Sequence, residues 1–308
     1  MDRVEFTVST ITTFVDIVCQ LNNEVQKNFF FAPNELLFRG QADKNYELIP
    51  SLGRNRISAC DCTIFDEERN LIDLAKFKMP NVFRSDLSPI ELLALLQHHG
   101  IPTRLLDISE NALVALFFAC CNNYEEDGEV IVFKNQKHHI TNYPVINAIA
   151  DSYRFTNDTF RSLSLFYGDV KNQPYFLEQK QSLEICHKDD ISGGKWIADC
   201  CSKLMYIYAP IQSARQQAQQ GRYILFPNHI SYDMYDEGCF EWRIDSIPKD
   251  HQDIVARIII PKDIKKQMLS DLSILGITEA TLFCDNIDIV CKGIVETFQK
   301  KCNKRGDI

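Results

Sequence analysis

The stretch between Ser88 and Cys121 constrains the fold more than any other part of this chain. Ser88-Pro-Ile-Glu91 has the spacing of a capping box with proline at the first helical position, so a helix starts there. Leu92, Leu93, Leu95 and Leu96 give that helix its buried face. Gly100 supplies the C-terminal stop and Pro102 follows. Residues 103–108 then read as extended chain. Ser109 is placed to cap a second helix over residues 110–121, which is apolar on most sides and therefore central.

Elements elsewhere come in mixed order. Residues 9–28 have helical periodicity in Ile11, Phe14, Val15, Val18 and Leu21, with Ser9 or Thr10 as cap. A short strand over 35–39 is broken by Gly40. Turn signals fill 41–63, and a helix over 64–78 ends before Pro80. Asp127-Gly128 turns into a strand over 129–134. Residues 135–200 carry few clean signals and read as short helices, an insertion between core elements. Strands follow at 205–208, 223–226, 239–244 and 254–260. Pro261 opens a helix that Gly276 stops. A short strand at 281–283 and a last helix over 285–300 complete the chain. Helices dominate the first half and strands the second. The expectation is an α+β fold, a mixed and mostly antiparallel sheet flanked by helices. It forms one domain over 1–308, with the N-terminal helix within 1–34 and a helical insertion at 135–200.

Composition removes several classes of function. No run of about 18 apolar residues exists to span a membrane. The N-terminus carries Asp2 and Glu5 where a secretory leader needs positive charge. A net charge of −9 weakens non-specific nucleic-acid binding, which needs clustered Lys and Arg. The 12 cysteines are scattered, with no matched C-x2-C pairs, so no metal is expected. They read as reduced, buried thiols in a cytoplasm.

Four clusters could carry chemistry. Phe38-Arg39-Gly40-Gln41 puts an arginine at a strand end beside a glycine. That suits a bidentate phosphate or carboxylate contact with close backbone approach, or else a surface Arg before a turn. The run from Gln97 to Asp107 packs His98, His99, Arg104 and Asp107 at a helix-to-strand junction. The imidazoles could move protons, or the cluster could be an Arg104–Asp107 ion pair beside a wet helix end. The segment Arg215–Gly221 offers amides, among them Gln219 and Gln220, that could orient ligand hydroxyls or form a polar loop. Glu241, on a strand, is a candidate catalytic carboxylate or part of a solvated face. No nucleophile elbow, H-E-x-x-H, P-loop or dinucleotide glycine fingerprint occurs.

Five motifs in order resemble the FRG domain family, named for its Phe-Arg-Gly. They are Phe38-Arg-Gly-Gln41; Tyr46-Glu-Leu-Ile-Pro-Ser-Leu52 with Arg54; Gln97-His-His-Gly-Ile-Pro-Thr-Arg-Leu-Leu-Asp107 leading to Val114-Ala-Leu-Phe-Phe-Ala119; Ala218-Gln-Gln-Gly221; and Leu275-Gly-Ile-Thr278 leading to Thr281-Leu-Phe283. Each alone is weak; the series is specific and covers roughly residues 35–295. Two departures stand out. Ile108-Ser109 replaces the family's Trp-Thr, and Cys284-Asp-Asn-Ile-Asp288 replaces its Pro-Asp-Leu-Asp-Gly. The family occurs in bacterial and phage proteins, some resembling parts of defence or toxin systems.

A second resemblance is to ADP-ribosyltransferases of the arginine-serine-glutamate class. It implies that Arg39 holds a dinucleotide phosphate or ribose and that Ser109 supports the nicotinamide pocket. A glutamate is then expected on a late strand, where this chain has Gln219 and Gln220, or Glu241 further on. The expectation is a nucleotide pocket without a permanently bound cofactor, with NAD or a relative as ligand or substrate. Arg39, Gly40, Gln41, Arg104, Asp107, Ser109, Gln219 and Gln220 would bind, and His98, His99 and Glu241 would act in catalysis. A non-catalytic sensor or interaction module working through a protein partner is the alternative, and a nuclease is disfavoured by the charge.

Overall fold

The computed structural model describes residues 4–27, 34–54, 64–135, 143–156, 160–180, 183–210, 213–232 and 237–286. Strand β1 (Val4–Thr7) precedes the amphipathic helix α1 (Ile11–Lys27). Strand β2 (Glu35–Gln41), the one-turn helix α2 (Ser51–Arg54) and α3 (Glu68–Lys78) follow. Helix α4 (Pro89–His98) has its full capping box: the Ser88 hydroxyl accepts from the Glu91 N–H, and the Glu91 carboxylate accepts from the Ser88 N–H at 2.9 Å. Gly100 follows it at φ +79°, where a side chain would be strained. Next come β3 (Leu105–Ser109), α5 (Ala112–Cys120) and β4 (Gly128–Asn135). The middle of the chain contains α6 (Pro144–Ala150), β5 (Phe160–Ser162), α7 (Leu163–Val170), α8 (Pro174–Leu177) and α9 (Asp190–Cys201). Then follow β6 (Met205–Ile207), α10 (Ala214–Ala218), β7 (Gly221–Leu225), β8 (Ile230–Tyr232) and β9 (Gly238–Glu241). The described chain closes with β10 (Ile254–Ile260), α11 (Lys265–Ile274) and α12 (Glu279–Leu282).

Seven strands form one sheet in the order β1-β10-β4-β2-β3-β7-β6, and three form a second, β5-β9-β8. Among the described residues, only the β1–β10 pair is parallel. The fold is therefore α+β with a mixed, mostly antiparallel sheet. Strands β2 and β3 pair at one position, Phe38 opposite Ser109. Strand β3 pairs with β7 along its whole length, Ser109 opposite Gly221. Phe38, Ser109 and Gly221 thus form one row across three strands, and β2 and β3 part on either side of it.

Apolar side chains cover both faces of the large sheet. On one face, Phe38, Val130, Val132 and Ile258 pack with Phe14 and Leu21 of α1, Val114 and Leu116 of α5, and Met268 and Leu272 of α11. On the other, Leu37, Leu106, Ile108, Ile131, Phe133 and Ile224 lie with Leu48 and Ile247. A third cluster joins α4, α6, α7 and α9 to Leu105, Tyr223 and Leu225, so the helices of residues 135–200 share a core with the sheet. Lys265 is fully buried and donates to the carbonyls of Ala42, just past β2, and of Asn122 and Asn123, just past α5, at 2.6, 3.3 and 2.8 Å.

Several expectations are corrected. Gly40 does not break its strand but continues it. A side chain there would put its Cβ 1.8 Å from the Ala115 carbonyl oxygen, so glycine is what lets α5 cross β2. Ser109 ends β3 and is not the cap of the next helix. Asn111 is, accepting from the Leu113 N–H at 2.9 Å. Residues 281–283 are not a strand: Thr278 caps the short helix α12. The helix expected over 285–300 falls mostly outside the described residues. Strand β1 was not expected, because its Val-Glu-Phe-Thr alternation runs over only four residues and these are mostly exposed.

Candidate functional site

A cavity of about 260 Å³ opens where β2 and β3 part. Strand β2 brings Phe38, Arg39 and Gly40; α4 brings Gln97 and His98; β3 brings Asp107, Ile108 and Ser109. Val114, Ala115 and Phe118 of α5 line its apolar side. Ser213, Arg215, Gln216 and Gln219 come from α10 and its approach, and Gly221 and Tyr223 from β7.

The carboxylate of Asp107 is oriented by a chain of hydrogen bonds. The buried Thr103 hydroxyl donates to Gln97 Oε1 at 2.7 Å, so the amide presents Nε2 to Asp107 Oδ2 at 2.9 Å. Two ends of the Gln97–Asp107 motif therefore work as one unit. Arg39 Nη1 donates to the backbone carbonyl of Asp107 at 2.5 Å, and its Nε donates to Gln41 Oε1 at 3.3 Å. Desolvation lowers the Arg39 guanidinium to about 10, against the pull of the Asp107 carboxylate, so it stays charged at neutral pH.

Opposite, Arg215 lies over the ring of Phe283, 4.4 Å from its centroid, with that face of the guanidinium held by the ring. His98 stands 3.6 Å from Asp285. Burial, then the neighbouring His99, holds its imidazole below the usual range despite that carboxylate, which favours the neutral ring at pH 7. Ser109 donates to the Gln219 carbonyl at 2.7 Å and accepts from the Asn111 N–H at 2.9 Å, tying β3 to α10. Gln219 Nε2 is spent on the Leu282 carbonyl at 3.1 Å. Burial raises the Tyr223 phenol, as does the charge of Asp107.

Of the residues singled out in the sequence, Arg39, Gly40, His98, Asp107, Ser109 and Gln219 line this cavity. Gln41 is buried one step behind Arg39, donating to Glu129 Oε1 at 3.2 Å and to the Tyr46 carbonyl at 3.0 Å. His99 is exposed and packs edge-on against Phe83 and His98. Gln220 is exposed at φ 46° in the turn before β7.

Two residues are placed elsewhere. The buried Arg104–Asp107 pair does not form, because residues three apart in extended chain point to opposite faces. Arg104 is fully buried against Glu68, with Nε donating to Oε1 at 2.8 Å and Nη1 donating to Asn228 Oδ1 at 3.1 Å. Glu241 lies on β9 of the small sheet, 3.4 Å from Arg243, and does not line the cavity. Sequence reasoning assigned no role to Gln97, Arg215 or Tyr223. The first two lay inside motifs already picked out, and Tyr223 carried no signal beyond strand alternation.

Among the described residues, no group of three or more His, Cys, Asp or Glu could hold a metal ion. No helix among them is long and apolar enough to cross a membrane. Residues 34–128, which supply Arg39, Gln97, His98, Asp107 and Ser109, match the family model of the FRG domain. The match covers the part of the chain that carries the motifs from Phe38 to Ala119, which therefore resembles an FRG domain. No curated protein and no solved structure matches it.

Proposed function

We propose that the cavity is a nucleotide pocket that takes NAD or a related nucleotide. The observation that carries this is the row of Phe38, Ser109 and Gly221 across three adjacent strands, which gathers Arg39, Ser109 and Gln219 around one opening. That gathering fits the places that the resemblance to the arginine-serine-glutamate class implies for Arg39 and Ser109. Arg39 and Arg215 supply positive charge for phosphates, Phe118 and Tyr223 supply flat surface for a base, and Gln97 with Asp107 meets ribose hydroxyls. Asp107 is the one carboxylate among the lining residues, so any cleavage of the N-glycosidic bond falls to it, with the neutral His98 as proton acceptor. Such cleavage adds water at C1′, and the bond's electron pair leaves with the base.

The protein binds its nucleotide transiently, in a cytoplasmic, bacterial or phage defence or toxin setting. Burial pushes the Cys120 thiol up to about 12 and Cys121 to about 11, which suits inert thiols in a reducing compartment.

A second reading is a sensor or interaction module acting through a protein partner. Gln219 and Gln220 favour it, standing where transfer chemistry wants a glutamate.

A thermal-shift screen with NAD, NADP, ADP-ribose, ATP and GTP tests the pocket. A ligand at 100 times its Kd stabilises the fold by about 2.7 kcal/mol. The expected result is a shift with NAD or ADP-ribose that Arg39→Ala abolishes without itself lowering Tm. No shift from any nucleotide overturns the pocket and favours the module.

A further inference from the structure

A second cavity, of about 410 Å³, opens where β7 runs out toward β8 and the loop at 245–251. It shares no lining residue with the first. Its apolar wall is Ile224, Phe226, Ile230 and Ile247. Its polar lining includes His229, His251 and Lys203.

The hydrogen bonds fix how the two rings are protonated. His229 Nδ1 lies 2.5 Å from Asp245 Oδ2. A carboxylate only accepts, so Nδ1 carries the proton, and Nε2 is the atom that takes up a second one. His251 is arranged the other way. Its Nδ1 accepts the Asp253 N–H at 3.2 Å, which leaves the ring proton on Nε2. Among the described residues, neither Nε2 and no atom of the Lys203 ammonium has a hydrogen-bond or ion-pair partner. Three residues that line this cavity thus have a side-chain nitrogen with its hydrogen bonds unspent: His251 at Nε2–H, His229 at Nε2 and Lys203 at Nζ.

We propose that this cavity binds an organic phosphate monoester. Its apolar body rests on Ile224, Phe226, Ile230 and Ile247, and its three terminal oxygens accept from His229, His251 and Lys203. A phosphate monoester offers three terminal oxygens to these three nitrogens, one more than a carboxylate has. The other charges near the rings are few. Arg243 lies 3.8 Å from Asp245 and 3.4 Å from Glu241, and Asp253 lies 3.9 Å from His251. The site is independent of the nucleotide pocket.

The test is an NMR titration of the full chain, labelled with 15N at histidine, with phenyl phosphate as probe and benzyl alcohol and inorganic phosphate as comparisons. Phenyl phosphate is expected to move both His229 and His251. Its affinity should drop about tenfold in His251→Gln, in His229→Gln and in Lys203→Ala, the last a change to an exposed side chain. Benzyl alcohol binding as tightly as phenyl phosphate overturns the role of the donors. Inorganic phosphate binding as tightly overturns the role of the apolar wall. A titration that leaves both rings unmoved, or affinities unchanged in all three variants, overturns the site.

Discussion

At the residue scale, the motif around Arg104 shows how charge type and charge partner separate. Arg104 is the largest fully buried side chain, and Glu68 meets it with both carboxylate oxygens. Removing one member leaves the other charged and unpaired in the interior. Glu68→Ala is expected to cost about 3–5 kcal/mol, read from the urea midpoint, whereas the double change Arg104→Met with Glu68→Leu recovers most of it. Asp151 carries a different signature. Its side chain is 4% exposed, and burial raises its carboxyl to about 6 from 3.8, in spite of Arg154 at 2.8 Å. Between those values the native chain keeps a proton that the unfolded chain has released, so stability falls as pH rises from about 4 to about 6. The loss is about 2–3 kcal/mol and is complete above that window. Asp151→Asn should flatten it, and urea midpoints measured at a series of pH values check the difference. Neither effect was legible in the sequence, since Glu68 lies 36 residues from Arg104 and the burial of Asp151 is set by tertiary packing.

At the element scale, boundaries set by local chemistry were legible and those set by crossing elements were not. The Ser88–Glu91 box is local, and its helix starts where the residues place it. Ser88→Ala should cost about 1 kcal/mol in thermal or urea unfolding. Gly40 is the opposite case. Its glycine suggested a break, but the strand continues because α5 needs the space above it. Gly40→Ala puts a methyl group into the Ala115 carbonyl and should cost about 3 kcal/mol or more, read as a lower urea midpoint. The same change should weaken the proposed nucleotide binding, since Gly40 and Ala115 both line the cavity. Residues 281–283 misled for a simpler reason. Three apolar-flanked residues fit a strand or a helical turn equally, and the Thr278 cap decides for the turn.

At the scale of the whole molecule, the sheet closes the chain's described ends onto each other. Strand β1 covers the edge of β10, whose Ile254–Ile260 run is almost wholly buried. Deleting residues 1–8 should bare that edge and give concentration-dependent association on size exclusion, with a lowered Tm. If the truncated chain stays monomeric at high concentration, β1 does not guard the edge. The −9 charge acts at this scale too. Ligand binding at the Arg39 cavity should change little with salt compared with a polyanion contact.

The amino-acid order by itself determined the α+β class, the capped helix α4, most strand positions and the residue types that gather near Arg39. Those features follow from periodicity, caps and turn residues, which act over a few positions. Tertiary structure alone decided that Asp107 faces the cavity with Gln97 while Arg104 turns away to Glu68. It also decided that Glu241 belongs to another sheet and that His229 and His251 border a second cavity. Each of these is settled by strand register and by contacts between distant segments, and a one-residue shift in register would exchange every inward and outward side chain.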